Sequence, residues 1–245
     1  MPDPRPGGLT LALDTSTDVT VGLARGTEVL AAERVTDRVA HVEQLVPLVH
    51  RALASAGATL ADVDHVVVGL GPGPFTGLRV GIVSAQVLAH VRGVALHGVC
   101  SLDPIALAHA TAMSSASASE WNSAGGVGGR PPSGQGDFVV ATDARRREVY
   151  WARYAADGTR LQGPEVSSPD DVARLPTVGP GADLYADRLE VVDGPRVLDP
   201  GLLAARGADL PDAGTEPLYL RRPDAAEPAR RKSVLHLPPG QAVRR

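Results

Sequence analysis

The sequence contains a single cysteine and few aromatic residues, and both shortages limit what the chain can build. Cys100 is the only cysteine among 245 residues, so the chain cannot form an internal disulfide or a cysteine-based zinc site. We therefore expect a reducing, cytoplasmic compartment. Aromatic residues make up only 3% of the chain, so its core must depend on valine, leucine, alanine and isoleucine.

The sequence also lacks an excess of positive charge and any long apolar run. With 24 basic against 28 acidic residues, the formal net charge of −4 argues against binding of nucleic acid by the surface as a whole. No apolar run approaches the roughly 18 residues that cross a bilayer, and the N-terminus has no apolar signal core, so we expect no membrane association. The basic residues cluster at Arg145-Arg146-Arg147, Arg221-Arg222, 230–232 and Arg244-Arg245.

The hydropathy pattern divides the chain into two halves with a poorly apolar segment between them. Residues 1–112 form the first half, with the predicted order βββαβαβα, and residues 137–222 form a smaller second subdomain. Residues 113–136 are mainly Ser, Gly, Ala and Pro. They cannot bury enough apolar area to offset the cost of chain ordering, which predicts a flexible insertion. Residues 223–245 are predicted to form a mobile tail.

Short apolar runs bounded by turn residues define the strands of the first half. The turn-rich stretch 14–18 separates the first two runs, which predicts a β-hairpin at the start of the fold. Later strands alternate with helices, and this order predicts crossovers to parallel strands in a mixed sheet. The strands are predicted over residues 9–13, 19–23, 28–35, 63–70 and 94–99.

Apolar residues at three- and four-residue steps define the helices of the first half. This spacing predicts helices over 42–56 and 78–91, the first of them carrying Pro47, which removes one hydrogen-bond donor. Ser101 is the predicted N-cap of a third helix that ends near Thr111.

The second half opens with another predicted hairpin. Strands over 138–141 and 149–154 flank a turn at 143–147, so the second half echoes the first. Short helices are predicted over 169–173, with Ser168 as its cap, and over 202–208.

A rigid loop over residues 71–77, Gly-Pro-Gly-Pro-Phe-Thr-Gly, lies between a predicted strand and a predicted helix. Its glycines permit positive φ and its prolines fix φ, so the loop should hold one shape. The amides of such a loop and of the helix N-terminus can face a phosphate. On spacing alone, a purely structural strand-to-helix turn explains the pattern equally well.

No residue pattern here is typical of a nucleophile or a metal centre. Leu78 rather than a lysine follows the loop, which argues against a P-loop NTPase. Ser84 falls in mid-helix rather than in a nucleophile elbow, and Cys100 is expected to be a buried structural cysteine. No two of the seven histidines stand three or four residues apart, so we predict neither a catalytic residue nor a metal ligand.

Taken together, the first hairpin turn and the glycine-rich loop resemble the TsaB (YeaZ) family. These proteins are paralogues of TsaD in the actin-like, Hsp70-like and sugar-kinase-like (ASKHA) ATPase superfamily. The resemblance covers most of the chain, except for the insertion and the tail. The segments that carry it are residues 11–17, 41–47, 71–77, 99–102, 143–150 and 216–221.

The resemblance implies an α/β fold of two related halves, each with a mixed sheet that opens in a β-hairpin and is flanked by helices. It also implies that the hairpin turn and the loop approach nucleotide phosphates, through Asp14, Thr15, Ser16, Gly71, Gly73, Thr76 and Gly77. Two interpretations stay open. The turn binds ATP or ADP with Mg²⁺ weakly or at an interface, with no tightly bound cofactor, or Asp14 and Ser16 hydrogen-bond their own turn.

The resemblance further implies a non-catalytic scaffold subunit in the formation of N6-threonylcarbamoyladenosine (t6A) at position 37 of tRNAs that read ANN codons. Its partners would be TsaD and TsaE, with tRNA reached through the complex, and a homodimer would form when TsaD is absent. An independent actin-like ATPase or phosphotransferase is the alternative, and a peptidase is a weaker third. Arg145, Arg146 and Arg147 fit either a contact with a partner or tRNA, or a solvated turn.

Overall fold

Two mixed β-sheets, linked by a long helix, make up the described part of the chain. The computed structural model describes residues 7–36, 41–123 and 136–221. Within these ranges, no helix combines the length and the apolar character that a membrane crossing requires.

The first sheet has five strands in the order β3-β2-β1-β4-β5. Strands β1, β2 and β3 pair antiparallel, whereas β1, β4 and β5 run parallel to one another, as the predicted crossovers require. The strands are β1 (Leu9–Asp14), β2 (Val19–Arg25), β3 (Glu28–Val35), β4 (Val63–Gly69) and β5 (Ala95–Val99).

Helices cover both faces of this sheet. On one face, α1 (His41–Ser55) and α2 (Phe75–Arg92) pack Leu45, Leu48, Leu78 and Ile82 against the strands. Pro47 is exposed inside α1. Helix α2 begins three residues earlier than predicted, directly after Pro74.

The other face of the first sheet is covered by α3 (Asp103–Ser123) and by α4 (Pro200–Arg206). Helix α4 starts two residues before its predicted first residue, because Pro200 occupies its first turn and Asp199 caps it by accepting from the amides of Gly201 and Leu202.

The second sheet repeats the order of the first with one strand fewer. Its order is β8-β7-β6-β9, in which the antiparallel β6–β7 hairpin is the predicted one and β6 runs parallel to β9. Strands β8 and β9 were not predicted. The strands are β6 (Phe138–Asp143), β7 (Val149–Tyr154), β8 (Arg160–Ser167) and β9 (Thr177–Val178).

Helix α3 extends into the predicted flexible insertion and covers its first part, residues 113–123. The helix does not end near Thr111 but continues to Ser123, because alanine favours helix and neither Gly nor Pro interrupts this stretch. The hydroxyls of Thr111 and Ser115 bond to carbonyls one turn back, at 2.7 and 2.9 Å. The rest of the predicted insertion, residues 124–135, and the predicted tail lie outside the described residues.

The predicted short helix over 169–173 is a single 3-10 turn, Pro169–Asp171. Ser168 precedes this turn, but its hydroxyl accepts from the guanidinium of Arg188 at 2.8 Å and does not cap the turn.

Asp103, the first residue of α3, joins the two halves. Its carboxylate is buried and accepts from the hydroxyl of Tyr154 at 2.8 Å, and the guanidinium of Arg160 lies 3.2 Å away. Cys100, just before α3, is also buried, and this burial raises the pKa of its thiol to about 12. As the sequence predicted, Cys100 is a buried cysteine.

Candidate functional site

Three loops meet at the carboxyl ends of the parallel strands β1, β4 and β5. They are the β1–β2 turn, the glycine-rich loop after β4 and the short connection between β5 and α3. Parallel strands end at the same edge of a sheet, which is where α/β proteins usually bind ligands. The topology therefore brings the predicted turn and loop together.

The carboxylate of Asp14 has hydrogen-bond partners within the protein on both of its oxygens. Oδ1 accepts from the amide of Ser16 at 2.8 Å and from its hydroxyl at 2.7 Å. Oδ2 accepts from the hydroxyl of Ser101 at 2.5 Å. Asp14 is only 1% exposed, so the turn directs this carboxylate into the protein.

Ser101 connects Asp14 to the glycine-rich loop. Its hydroxyl also accepts from the amide of Gly71 at 2.9 Å, and its own amide donates to the carbonyl of Gly71 at 2.8 Å. The prediction that Ser101 caps the third helix was wrong, since α3 begins at Asp103 and the serine side chain bonds to the other two loops instead. Its position at the carboxyl end of a parallel strand is the signal that could have indicated this role.

Burial dominates the electrostatics of Asp14. Removal from water raises the pKa of its carboxyl above the ordinary value, and the neighbouring Asp18 acts in the same direction. The hydrogen bonds from Ser101 and Ser16 oppose this rise because they stabilise the charged form.

The turn and the loop approach so closely that only glycine fits at their contacts. A Cβ atom on Gly69 would lie 1.7 Å from Oδ2 of Asp14, and one on Gly73 would lie 2.6 Å from the carbonyl oxygen of Ser16. In the backbone itself, Gly71 has a φ of +93°. The predicted close backbone approach is confirmed at Gly73, which contacts the hairpin turn, and the predicted positive φ is confirmed at Gly71.

The remaining predicted ligand residues fall on both sides of this contact. Thr15 is buried, and its hydroxyl donates to the carbonyl of Gly77 at 2.8 Å. Thr76 lies in the first turn of α2 and is exposed. Gly73 and Gly77 are partly buried. The geometry agrees with the interpretation that the turn hydrogen-bonds to itself, and nucleotide binding stays a prediction.

No metal centre is found in the part of the chain that the structure describes, where His, Cys, Asp and Glu form no group of three or more within reach of one ion. What the three loops build is a network of hydrogen bonds among a carboxylate, hydroxyls and backbone amides.

Relatives of known sequence and structure fit this fold. The family model described as TsaD, tRNA N6-adenosine threonylcarbamoyltransferase, matches residues 34–120. An uncharacterized protein of Mycobacterium tuberculosis is 47% identical over 222 residues, which are 88% of this chain and 92% of that protein. The Escherichia coli tRNA threonylcarbamoyladenosine biosynthesis protein TsaB is 33% identical over 148 residues, 60% of this chain and 55% of that protein.

The fold comparison agrees with these sequence matches. YeaZ from Pseudomonas aeruginosa superposes with a TM-score of 0.64 and 25% identity, over 87% of this chain and 100% of that one. The chain belongs to the TsaB (YeaZ) family. The predicted ASKHA-like fold, with two mixed sheets that each open in a hairpin, is thereby confirmed.

In this TsaB-family chain, α2 presents an apolar stripe to solvent beside the site. Val83, Val87 and Val91 recur at four-residue steps and are 53%, 54% and 75% exposed. The opposite side of α2 is buried against the first sheet. Val46, on the neighbouring α1, is 58% exposed. We call these four residues the valine stripe.

The C-terminal segment of the TsaB-family chain holds the start of α2 in place. The ring of Tyr219 stacks on Phe75 at 4.6 Å, and the guanidinium of Arg79 lies 4.0 Å above the Phe75 ring while its Nε donates to the Tyr219 hydroxyl. The amide of Leu218 donates to the carbonyl of Leu70 at 2.8 Å. These contacts fix the angle at which α2 leaves the loop.

Proposed function

We propose that this chain is the scaffold subunit of a cytoplasmic complex that forms t6A at position 37 of tRNAs reading ANN codons. It binds and supports TsaD, with TsaE as the further subunit, and reaches tRNA through the complex. The observation that carries the proposal is the valine stripe, an exposed apolar surface on α1 and α2, and the hydrogen-bonded loops hold the start of α2.

The chemistry of the loops supports a role without catalysis. The carboxylate of Asp14 and the hydroxyls of Thr15 and Ser101 each bond to a group of the protein itself. A general base or a phosphate ligand needs an accessible polar atom, and these atoms are buried. These contacts support a contribution of the chain through its surface.

The valine stripe fits a helical partner. Four-residue spacing puts Val83, Val87 and Val91 on one side of α2, where a second helix can pack along them. Small residues on α2, among them Gly81 and Ala85, let the helix lie close to the sheet and leave the valines outermost. TsaD is the partner in the complex. A second copy of this chain covers the stripe when TsaD is absent, so homodimer and heterodimer compete.

Nucleotide binding contributes little to the proposed function. The chain holds no cofactor tightly, and ATP or ADP with Mg²⁺ binds weakly or at the interface with TsaD. Thr76 and the first turn of α2, which are the exposed part of the predicted nucleotide site, are the groups that remain accessible for such binding.

Reconstitution of the reaction tests the scaffold role. TsaD and TsaE of the same organism, unmodified tRNA and a source of threonylcarbamoyl-adenylate are combined with and without this chain, and t6A is measured by mass spectrometry. We expect t6A only when the chain is present. Full activity of TsaD and TsaE alone would overturn the proposal, as would Mg²⁺-dependent ATP turnover by the chain alone that is lost in Asp14→Ala.

A second experiment tests the surface. In Val87→Glu/Val91→Glu, two charges enter the valine stripe, and we expect at least about a 100-fold loss of TsaD affinity by calorimetry because buried unpaired charges are costly. Leu161→Glu/Leu184→Glu is the matched control, since it also adds two charges, at leucines of the second half that are 53% and 61% exposed. Equal affinity of the stripe variant and the control would contradict the assignment.

A further inference from the structure

The turn between β6 and β7 carries three consecutive arginines in an unusual backbone conformation. Arg145, Arg146 and Arg147 are exposed, and their φ angles are 58°, 54° and 63°. All three therefore lie in the left-handed region, which residues other than glycine and asparagine rarely adopt.

Folding alone does not favour arginine here. Each left-handed residue with a Cβ atom is strained relative to glycine, so three in succession destabilise the turn. Hydrogen bonds at the base of the hairpin turn stabilise this backbone conformation. Asp143 accepts from the amide of Arg145 at 2.8 Å. The amide of Ala144 donates to the carbonyl of Glu148, and the amide of Glu148 donates to the carbonyl of Arg145, each at 3.0 Å. A strained backbone that the surrounding hydrogen bonds maintain points to a function of its side chains.

The two acidic residues that flank the turn, Asp143 and Glu148, interact with residues outside it. The same Asp143 oxygen lies 3.4 Å from the hydroxyl of Tyr185, and Glu148 pairs with Arg221. Arg221 also donates to the carbonyl of Ala144 at 2.8 Å. Among the residues that the structure describes, no ion pair involves the guanidinium of Arg145 or Arg147.

The turn is a local concentration of positive charge on an acidic chain. Successive residues of a helical turn, left-handed or right-handed, lie about 100° apart around its axis, so the three arginine side chains leave the backbone in different directions. The chain as a whole has a formal net charge of −4, and the turn concentrates three positive charges on it. Arginine guanidinium groups are forked donors that match phosphate oxygens in geometry and charge, and a nucleic acid backbone supplies successive phosphates.

We propose that the tip of the β6–β7 hairpin binds the phosphate backbone of tRNA within the complex. This inference rests on the proposed function, because the net charge of the chain does not favour autonomous binding. The contact positions the RNA and carries no sequence information.

Salt-dependent binding of tRNA tests the proposal. The probe is an unmodified transcript of a tRNA that reads ANN codons, titrated with the complex of this chain and TsaD at several salt concentrations. For Arg145→Ala/Arg147→Ala we expect at least about a 10-fold loss of affinity at low salt and a log–log salt slope smaller by about one per arginine. Arg145→Lys/Arg147→Lys should keep most of the slope because it keeps the charge.

The matched control removes two exposed arginines from elsewhere on the surface. Arg25→Ala/Arg174→Ala changes the net charge by the same amount, and we expect its slope to stay within about half a unit of that of the unchanged complex. Equal slopes for the two double variants would overturn the proposal. So would a loss of TsaD or TsaE affinity with an unchanged tRNA slope, since the turn would then contact protein.

The two proposals fail separately. The titration measures tRNA binding and does not depend on t6A formation. If the chain proves dispensable for t6A but the slope still falls in Arg145→Ala/Arg147→Ala, the proposed function fails and the RNA contact stands.

Discussion

The two halves of the molecule open with the same hairpin and use it in opposite ways. Strands β1 and β6 each have six residues and end in an aspartate, Asp14 and Asp143. Each aspartate accepts the amide hydrogen of the residue two positions on, at 2.8 Å. The first turn is buried under a glycine-rich loop, and the second presents its arginines to solvent.

A third loop accounts for the difference. In the first sheet the parallel strand β5 brings Ser101 to the second oxygen of Asp14. The second sheet as described ends at β9 and has no fifth strand, so nothing equivalent to Ser101 covers Asp143. The same kind of turn is therefore buried where the loop after β5 covers it, and exposed to solvent in the second sheet, which has no such loop among the described residues.

The largest effect is expected where the first turn meets its loop. Gly69→Ala would place a Cβ atom 1.7 Å from Oδ2 of Asp14, and we expect a loss of about 4 kcal/mol in the free energy of unfolding, or failure to fold. The control is Gly57→Ala, which has a φ of +62° but no neighbour within 4 Å, so only about 1 kcal/mol should be lost. Chemical unfolding of both variants measures the comparison, and similar losses would show that the contact is not tight.

A smaller effect should separate the two aspartates. Asp14→Ala removes three hydrogen bonds and leaves the hydroxyls of Ser16 and Ser101 without their partner, so we expect a loss of about 3 kcal/mol. Asp143→Ala removes the acceptor of one amide hydrogen bond and of a longer bond from the Tyr185 hydroxyl, in a partly exposed turn, and should cost about 1 kcal/mol. Urea unfolding measures both. Equal losses would mean that the covering loop adds nothing to the stability of the first turn.

The pH dependence of stability reports the burial of Asp14 directly. Its pKa in the folded protein is raised, so the folded state binds the proton more tightly than the unfolded state does. The resulting stabilisation is complete below the ordinary aspartate pKa and is lost as the pH rises through the folded pKa. We therefore expect the free energy of unfolding to fall with rising pH in this range relative to Asp14→Asn, which cannot titrate. Parallel curves for the two proteins would show that folding does not raise the pKa of Asp14.

Local sequence patterns were sufficient to predict the hairpins, the parallel strands and the glycine-rich turn. Short apolar runs marked β1, β2 and β4, and the run of Gly and Pro marked the loop. Strand β8 was missed because its sequence contains Gly163-Pro164 and many exposed residues, and its pairing with β7 rather than its own composition makes it a strand.

The role of Ser101 could not be predicted from local sequence. Its partner Asp14 lies 87 positions away, so only the sheet order brings the two together. The length of α3 was missed for a different reason. Serine and alanine look like a linker by composition, but alanine favours helix, and the serine and threonine hydroxyls bond within the helix.

The smallest effect tests the second turn, and its sign matters more than its size. Arg147→Gly relieves one left-handed residue, so we expect the free energy of unfolding to rise by about 1 kcal/mol, whereas Arg147→Ala keeps the strain and should change it by less than about 0.5 kcal/mol. Thermal unfolding of both variants measures this. A more stable protein that binds tRNA less well would show that the turn keeps arginine at the expense of stability, unlike the first turn, where each close contact is occupied by glycine. If Arg147→Gly is instead less stable than Arg147→Ala, the arginine side chain supports the fold, and the contrast between the two turns is lost.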